Sequence, residues 1–128
     1  MSEIITNKLT GKTSAGDVDI TSEGGSATMQ LQQGVAKAWL AFANDSSQSI
    51  TGDTFNISSY SDAGTGTSTI TVTNAMGNAL YPVQNTATGS YPYHGKALTA
   101  STFQLRTVDH NGNSSDGAKN ATIHGDLA

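Results

Sequence analysis

Residues 55–76 read FNISSYSDAGTGTSTITVTNAM, and the alternation in this stretch decides the fold. Ile70 and Val72 fall on one side of an extended chain, while Thr67, Thr69, Thr71 and Thr73 fall on the other. A period of two marks a strand with one face buried. Threonine suits a pleated surface without supplying an apolar layer, so the outward row is solvated or lightly packed. Before it, residues 54–60 form a second strand candidate, with Phe55 and Ile57 expected inward, and SDAGTG supplies the Asp and Gly of a tight turn. The two stretches predict a hairpin over 54–60 and 68–74.

Upstream, VAKAWLAF (35–42) places Ala36, Ala38, Leu40 and Phe42 on one face and Val35, Lys37, Trp39 and Ala41 on the other. Neither face is plainly solvated. A central strand buried on both sides fits, as does a strand with one face in the core and Trp39 at a subunit contact; an Ala-rich helix over 30–43 is the rival. The turn-bounded, strand-like surroundings favour the strand. Downstream, NAMGNALYPVQNTATG gives a turn and another strand, whose start Pro82 places at an edge or bulge. SYPYHGKALTA reads as an aromatic-rich loop, and 102–108 and 119–124 as further strands separated by DHNGNSSDG. Short strands at this spacing, with no convincing long helix, predict an all-β fold: a small antiparallel sandwich or barrel-like module over 34–128. Residues 1–33 differ in texture. EIITNKL and GDVDITS are short alternating pieces, Gly24 and Gly25 interrupt the SEGGSATMQLQQG segment, and 26–33 has room for a helical turn or two. They read as an extended N-terminal arm for assembly or anchoring.

Composition points to partners. The chain has 128 residues, 35% hydrophobic, with one Trp, three Phe and four Tyr. Apolar burial contributes roughly 25 cal/mol per Å², against about 1–2 kcal/mol of backbone entropy per ordered residue. Much of the apolar content is small Ala, so the core of one copy is thin and an oligomer is expected. Only 12% of residues are charged, six Lys and Arg against ten Asp and Glu, for a net charge of -4. That balance gives no footprint for nucleic acid. Cysteine is absent, which excludes a disulfide framework, thiolate metal sites and a Cys nucleophile. No apolar run has the length of a membrane span, and MSEIITNKL lacks a signal-peptide core, so synthesis in a cytoplasm without membrane insertion is expected.

Catalytic constellations are not evident. His94, His110 and His124 lie in unrelated contexts, and neither a nucleophile elbow nor a phosphate loop is present; the reading is of a non-enzyme without a cofactor. Two weaker site candidates stand out. Asp109, Asn111 and Asn113, with Asp116 nearby, have the alternate oxygen ligands that open a calcium loop, but Ser114 occupies the place of its sharp-turn Gly and Asn120 that of its bidentate Glu. Asx residues and Gly also simply make loops. Tyr91, Tyr93 and His94 offer stacking faces and hydrogen bonds for a carbohydrate, or rings for packing against a neighbour.

The order NKLTGKTSAGDVDITSEGGSATMQLQQGVAKAWLAF, FNISSYSDAGTGTSTITVTNAM, STFQLRTVD and ATIHGD resembles short tail-fibre-like proteins of marine and cyanobacterial bacteriophages, over nearly the whole chain. The strongest parts are 34–42 and the element that combines Phe55, Asn56, Ser58, Asp62, Gly64, Gly66, Val72 and Met76. The resemblance implies a homotrimeric, β-rich structural component of a virion, without enzymatic activity and in contact with other phage tail or capsid proteins. Little sequence lies beyond the shared module, and this raises capsid decoration as an alternative to a tail fibre or tail appendage. A third reading is a carbohydrate-binding module that recognises host-surface glycan through Tyr91, Tyr93 and His94. Leu31, Val35, Trp39 and Phe42 are the expected subunit-interface residues.

Overall fold

The computed structural model describes residues 3–12, 18–21, 24–25, 27–42, 49–87 and 91–128, and of residues 42 and 91–93 the backbone alone. The chain divides into two compact units, Met1–Val35 and Ala36–Ala128.

In the first unit, β1 (Asp19–Thr21) pairs antiparallel with β2 (Thr28–Gln30), Ile20 opposite Met29. A single helical turn, α1 (Leu31–Gly34), comes next and is tied back by the Leu31 amide donating to the Val18 carbonyl at 2.7 Å. Four residues are too few for a helix to stand on its own backbone bonds. Residues 3–9, expected to alternate as an extended piece, form no strand. No described residue of this unit is buried.

The second unit is built on two antiparallel sheets. One has the order β3 (Ala38–Phe42), β9 (Lys119–Ile123), β6 (Val83–Ala87); the other has β4 (Ile57–Asp62), β5 (Thr67–Val72), β8 (Thr102–Val108), β7 (Tyr91–Ala97). Their inner rows form one core, with Ala38, Leu40, Ala121 and Ile123 from the first sheet meeting Ile70, Val72, Phe103 and Leu105 from the second; Met76 and Tyr81 close it. This is a small β-sandwich, as the alternation predicts. Alternate residues of β5 and β8 are buried, and the expected outward threonines, Thr67, Thr69 and Thr71, form a half-buried outer row.

The pattern of the 55–76 stretch has a physical cause at both ends. At the turn, the Asp62 carboxylate accepts the Gly64 amide at 2.8 Å, and Gly64 and Gly66 take the positive φ angles of 112° and 69° that glycine adopts without a Cβ clash. At the other end Asn56, at φ 58°, joins the sheets. Its Nδ2 donates to the Lys37 carbonyl at 2.9 Å and the Asn74 carbonyl at 3.1 Å, while its Oδ1 accepts the Asn74 amide at 2.7 Å.

Three expectations are corrected. The 35–42 segment is not a central strand buried on both sides: β3 is the edge strand of its sheet, with Ala38 and Leu40 in the core and Trp39 on the opposite, exposed face, as the strand with one face in the core expects. Of the rival helix over 30–43 only the α1 turn exists. Phe55 does not point inward; it lies outside β4 and is 50% exposed, whereas Ile57 packs on the core. SYPYHGKALTA is largely strand β7, with a register shift between Tyr91 and His94 that hid its alternation.

Candidate functional site

Trp39 opens the clearest surface feature. Leu40 on its neighbouring position is buried at 2%, so alternation turns the indole to the opposite face, where it is 41% exposed. Strand register sets Trp39, Thr122 and Gln84 in one row across the sheet and Ala41, Asn120 and Thr86 in the next. These six side chains line a shallow concavity of about 390 Å³. On the other edge of β3, Trp39 exchanges both backbone hydrogen bonds with Phe55, at 3.2 and 3.0 Å. Directly paired residues share a face, so the row gains a second exposed ring. No titratable group belongs to these rows. The surface can stack and hydrogen-bond through neutral amides and hydroxyls.

Other interface candidates distribute differently. Leu31, at the start of α1, is half-buried, and Val35 is 48% exposed; both belong to the first unit. Phe42 pairs by its backbone with Lys119, and its side chain lies outside the described residues. Within the first unit Ile4, Ile5, Leu9, Ile20 and Met29 are exposed as well, at 86%, 86%, 56%, 47% and 52%.

The candidate calcium ligands address separate partners. The Asp109 carboxylate accepts the backbone amides of Asn111 and Asn113, both at 2.8 Å, and the Asn113 side-chain amide at 3.3 Å. The Asn113 amide foremost, opposed by some desolvation and aided by the other donors and nearby His110, holds the Asp109 carboxyl below its usual range. Asp116 instead accepts the Gly66 amide at 2.6 Å. Among the described residues no group of three or more His, Asp or Glu side chains gathers as a metal site. His94 is exposed on β7, opposite Arg106; the side chains of Tyr91 and Tyr93 lie outside the described residues.

A buried polar centre under the 63–66 turn is not foreseen from the sequence. Lys119 is fully buried, and its Nζ donates to the Gly66 carbonyl at 2.9 Å and to Ser68 Oγ at 3.2 Å. Thr107, also fully buried, donates its hydroxyl to the Ser115 carbonyl, with the Gly66 carbonyl farther off at 3.3 Å. Burial lowers the Lys119 amine to about 8, the nearby carboxylates of Asp116 and Asp62 opposing the shift. A signal was available: Lys119 shares strand parity with Ala121 and Ile123. A lysine in an inward row is ordinarily taken to mark a strand end, because an unpaired buried charge is costly.

Among the described residues no helix is long and apolar enough to cross a membrane. No family model matches the chain, and no curated protein or solved structure matches it either.

Proposed function

We propose that the chain is a structural component of a bacteriophage virion, a trimeric tail-fibre or tail-appendage protein that works by assembly rather than catalysis. The observation that carries the assembly reading is the state of the first unit. None of its described residues is fully buried, and Ile4, Ile5, Leu9, Ile20, Met29 and Val35 all lie exposed. Apolar surface gains roughly 25 cal/mol per Å² when removed from water, and a short hairpin with one helical turn is too small to remove its own. Such a segment acquires its burial from a partner, which suits an arm that anchors the protein to other tail components. The Trp39 and Phe55 rings supply a second contact, between copies. The trimer and the virion setting rest on the sequence resemblance.

Light scattering at micromolar concentration is expected to give three times 13.1 kDa, and a stable monodisperse monomer would overturn the assembly. Deletion of residues 2–20 is expected to abolish incorporation into virions while the sandwich remains folded. Copy number separates the tail reading from capsid decoration: a few trimers per particle belong to a tail, whereas hundreds of chains belong to a shell.

A further inference from the structure

The second sandwich face, the outer face of the four-stranded sheet, carries a concentration of charge that assembly through Trp39 does not use. Residues 36–128 contain four Lys and Arg side chains: Lys37, Lys96, Arg106 and Lys119. Lys37 and Lys119 are withdrawn from solvent, at 4% and 0% exposure. The unit's two remaining cations are therefore Lys96 and Arg106, and both stand on the same patch. In the β7–β8 pairing His94 lies opposite Arg106 and Lys96 opposite Gln104, so the two cations are diagonal neighbours, roughly 7–8 Å apart and within reach of long side chains.

Like charges at this diagonal spacing repel, weakly where both are exposed to solvent. A carboxylate beside them would relieve the repulsion, yet among the described residues neither cation has one. The Arg106 guanidinium donates instead to the neutral Ser114 hydroxyl, at 3.2 Å. His94, Gly95, Lys96, Gln104 and Arg106 line a concavity of about 450 Å³, within the roughly 300–1,000 Å³ of ligand clefts. Across β5 the field continues as hydroxyls: Thr67 is opposite Arg106, Thr69 opposite Gln104 and Thr71 opposite Thr102. Two uncompensated cations set in neutral hydrogen-bonding rows match a ligand of sparse negative charge and many hydroxyls.

We infer that this face binds acidic polysaccharide, a sugar chain bearing carboxylate or sulfate groups, with Lys96 and Arg106 on the anionic group and Gln104 and the threonine rows on sugar hydroxyls. A nucleic acid fits less well. Its charge density calls for many phosphate contacts, and this face offers two cations. The site belongs to the surface of one copy and does not depend on the assembly proposed above.

Calorimetric titration of the full-length chain with polygalacturonate, dextran sulfate, neutral dextran and oligo(dT) tests the inference. Binding to both acidic polymers, weakening as salt rises, with none to dextran and weaker binding to oligo(dT), is the expected result. Lys96→Gln and Arg106→Gln should each lower the affinity about tenfold, and Arg106→Lys less. Both side chains stand on the outer face, so melting temperatures should stay within a few degrees. Failure to bind either acidic polymer, equal binding to dextran, tighter binding to oligo(dT), or an affinity unchanged in the double Gln variant would each overturn it.

Discussion

Trp39 and Phe55 exchange two backbone hydrogen bonds, at 3.2 and 3.0 Å, and both rings remain about half exposed. The pairing closes part of the β3 edge, which would otherwise be open to strand addition, and sets two aromatic side chains on one face.

The first prediction concerns that pair. Trp39→Ser with Phe55→Ser should shift the assembly toward the 13.1 kDa monomer while the thermal midpoint of the dilute monomer moves by only a few degrees, since both side chains are half exposed there. The single indole provides an independent readout. Acrylamide quenching of Trp39 fluorescence should increase on dilution of the wild type as the contact opens. Quenching that is independent of concentration across the mass transition would place the interface elsewhere.

Asn56 is the second test. Its side chain ties the Lys37 carbonyl in one part of the sandwich to Asn74 at the end of the hairpin, and its φ of 58° is left-handed. Asn56→Ala removes several hydrogen bonds of about 1 kcal/mol each and adds backbone strain, for a loss of roughly 2–4 kcal/mol. Asn56→Gly keeps the backbone conformation and should fall between Ala and wild type. Urea midpoints for the three proteins decide this, and an Ala variant as stable as wild type would deny Asn56 its joining role.

The hairpin glycines form a third, paired test. A Cβ on Gly66 would lie 2.5 Å from the Thr107 carbonyl oxygen and 2.7 and 2.8 Å from the Ser115 backbone, whereas nothing lies within 4 Å of one on Gly64. Both have positive φ. Gly64→Ala should therefore cost only the conformational penalty, about 1–2 kcal/mol, and Gly66→Ala should cost more than about 4 kcal/mol or prevent folding. Equal midpoints in urea would show that the close packing around Gly66 is not tight.

These same residues show how much of the fold was legible in the sequence. Period-two alternation identified β5 and β8 because one face of each is apolar and the other is threonine, glutamine or arginine. It failed on β7, where a register shift breaks the parity between Tyr91 and His94, and on Phe55, which looks like an inward residue until β3 is known to lie beside it. Glycines 64 and 66 were readable as turn residues, but the backbone crowding that demands Gly66 comes from residues 41 and 49 positions away. The paired cations were invisible for the same reason: Lys96 and Arg106 become neighbours only through the β7–β8 register.

The fourth prediction is a pH dependence set by Lys119. Its amine falls from 10.5 to about 8 in the folded protein because burial disfavours the charged form. Between those values the unfolded chain binds more protons than the folded one, so the Lys119 contribution to stability must rise with pH across this window; below about 8 both states are protonated and the contribution is flat. Lys37, also lowered by burial with Asp126 opposing, acts in the same direction. Tyr81 acts oppositely. Burial raises its phenol above 10.0, so past that value the unfolded chain ionises first and the phenol's contribution to stability falls as pH rises. The clean range is therefore about pH 7.5 to 9.5, and the clean measurement is a difference. Urea unfolding of wild type and Lys119→Met should show wild-type stability gaining on the variant as pH rises, although the Met side chain leaves Ser68 Oγ without its amine donor. Parallel curves over the whole range would mean that the Lys119 amine titrates alike in the folded and unfolded chains, and the buried-amine assignment would fail.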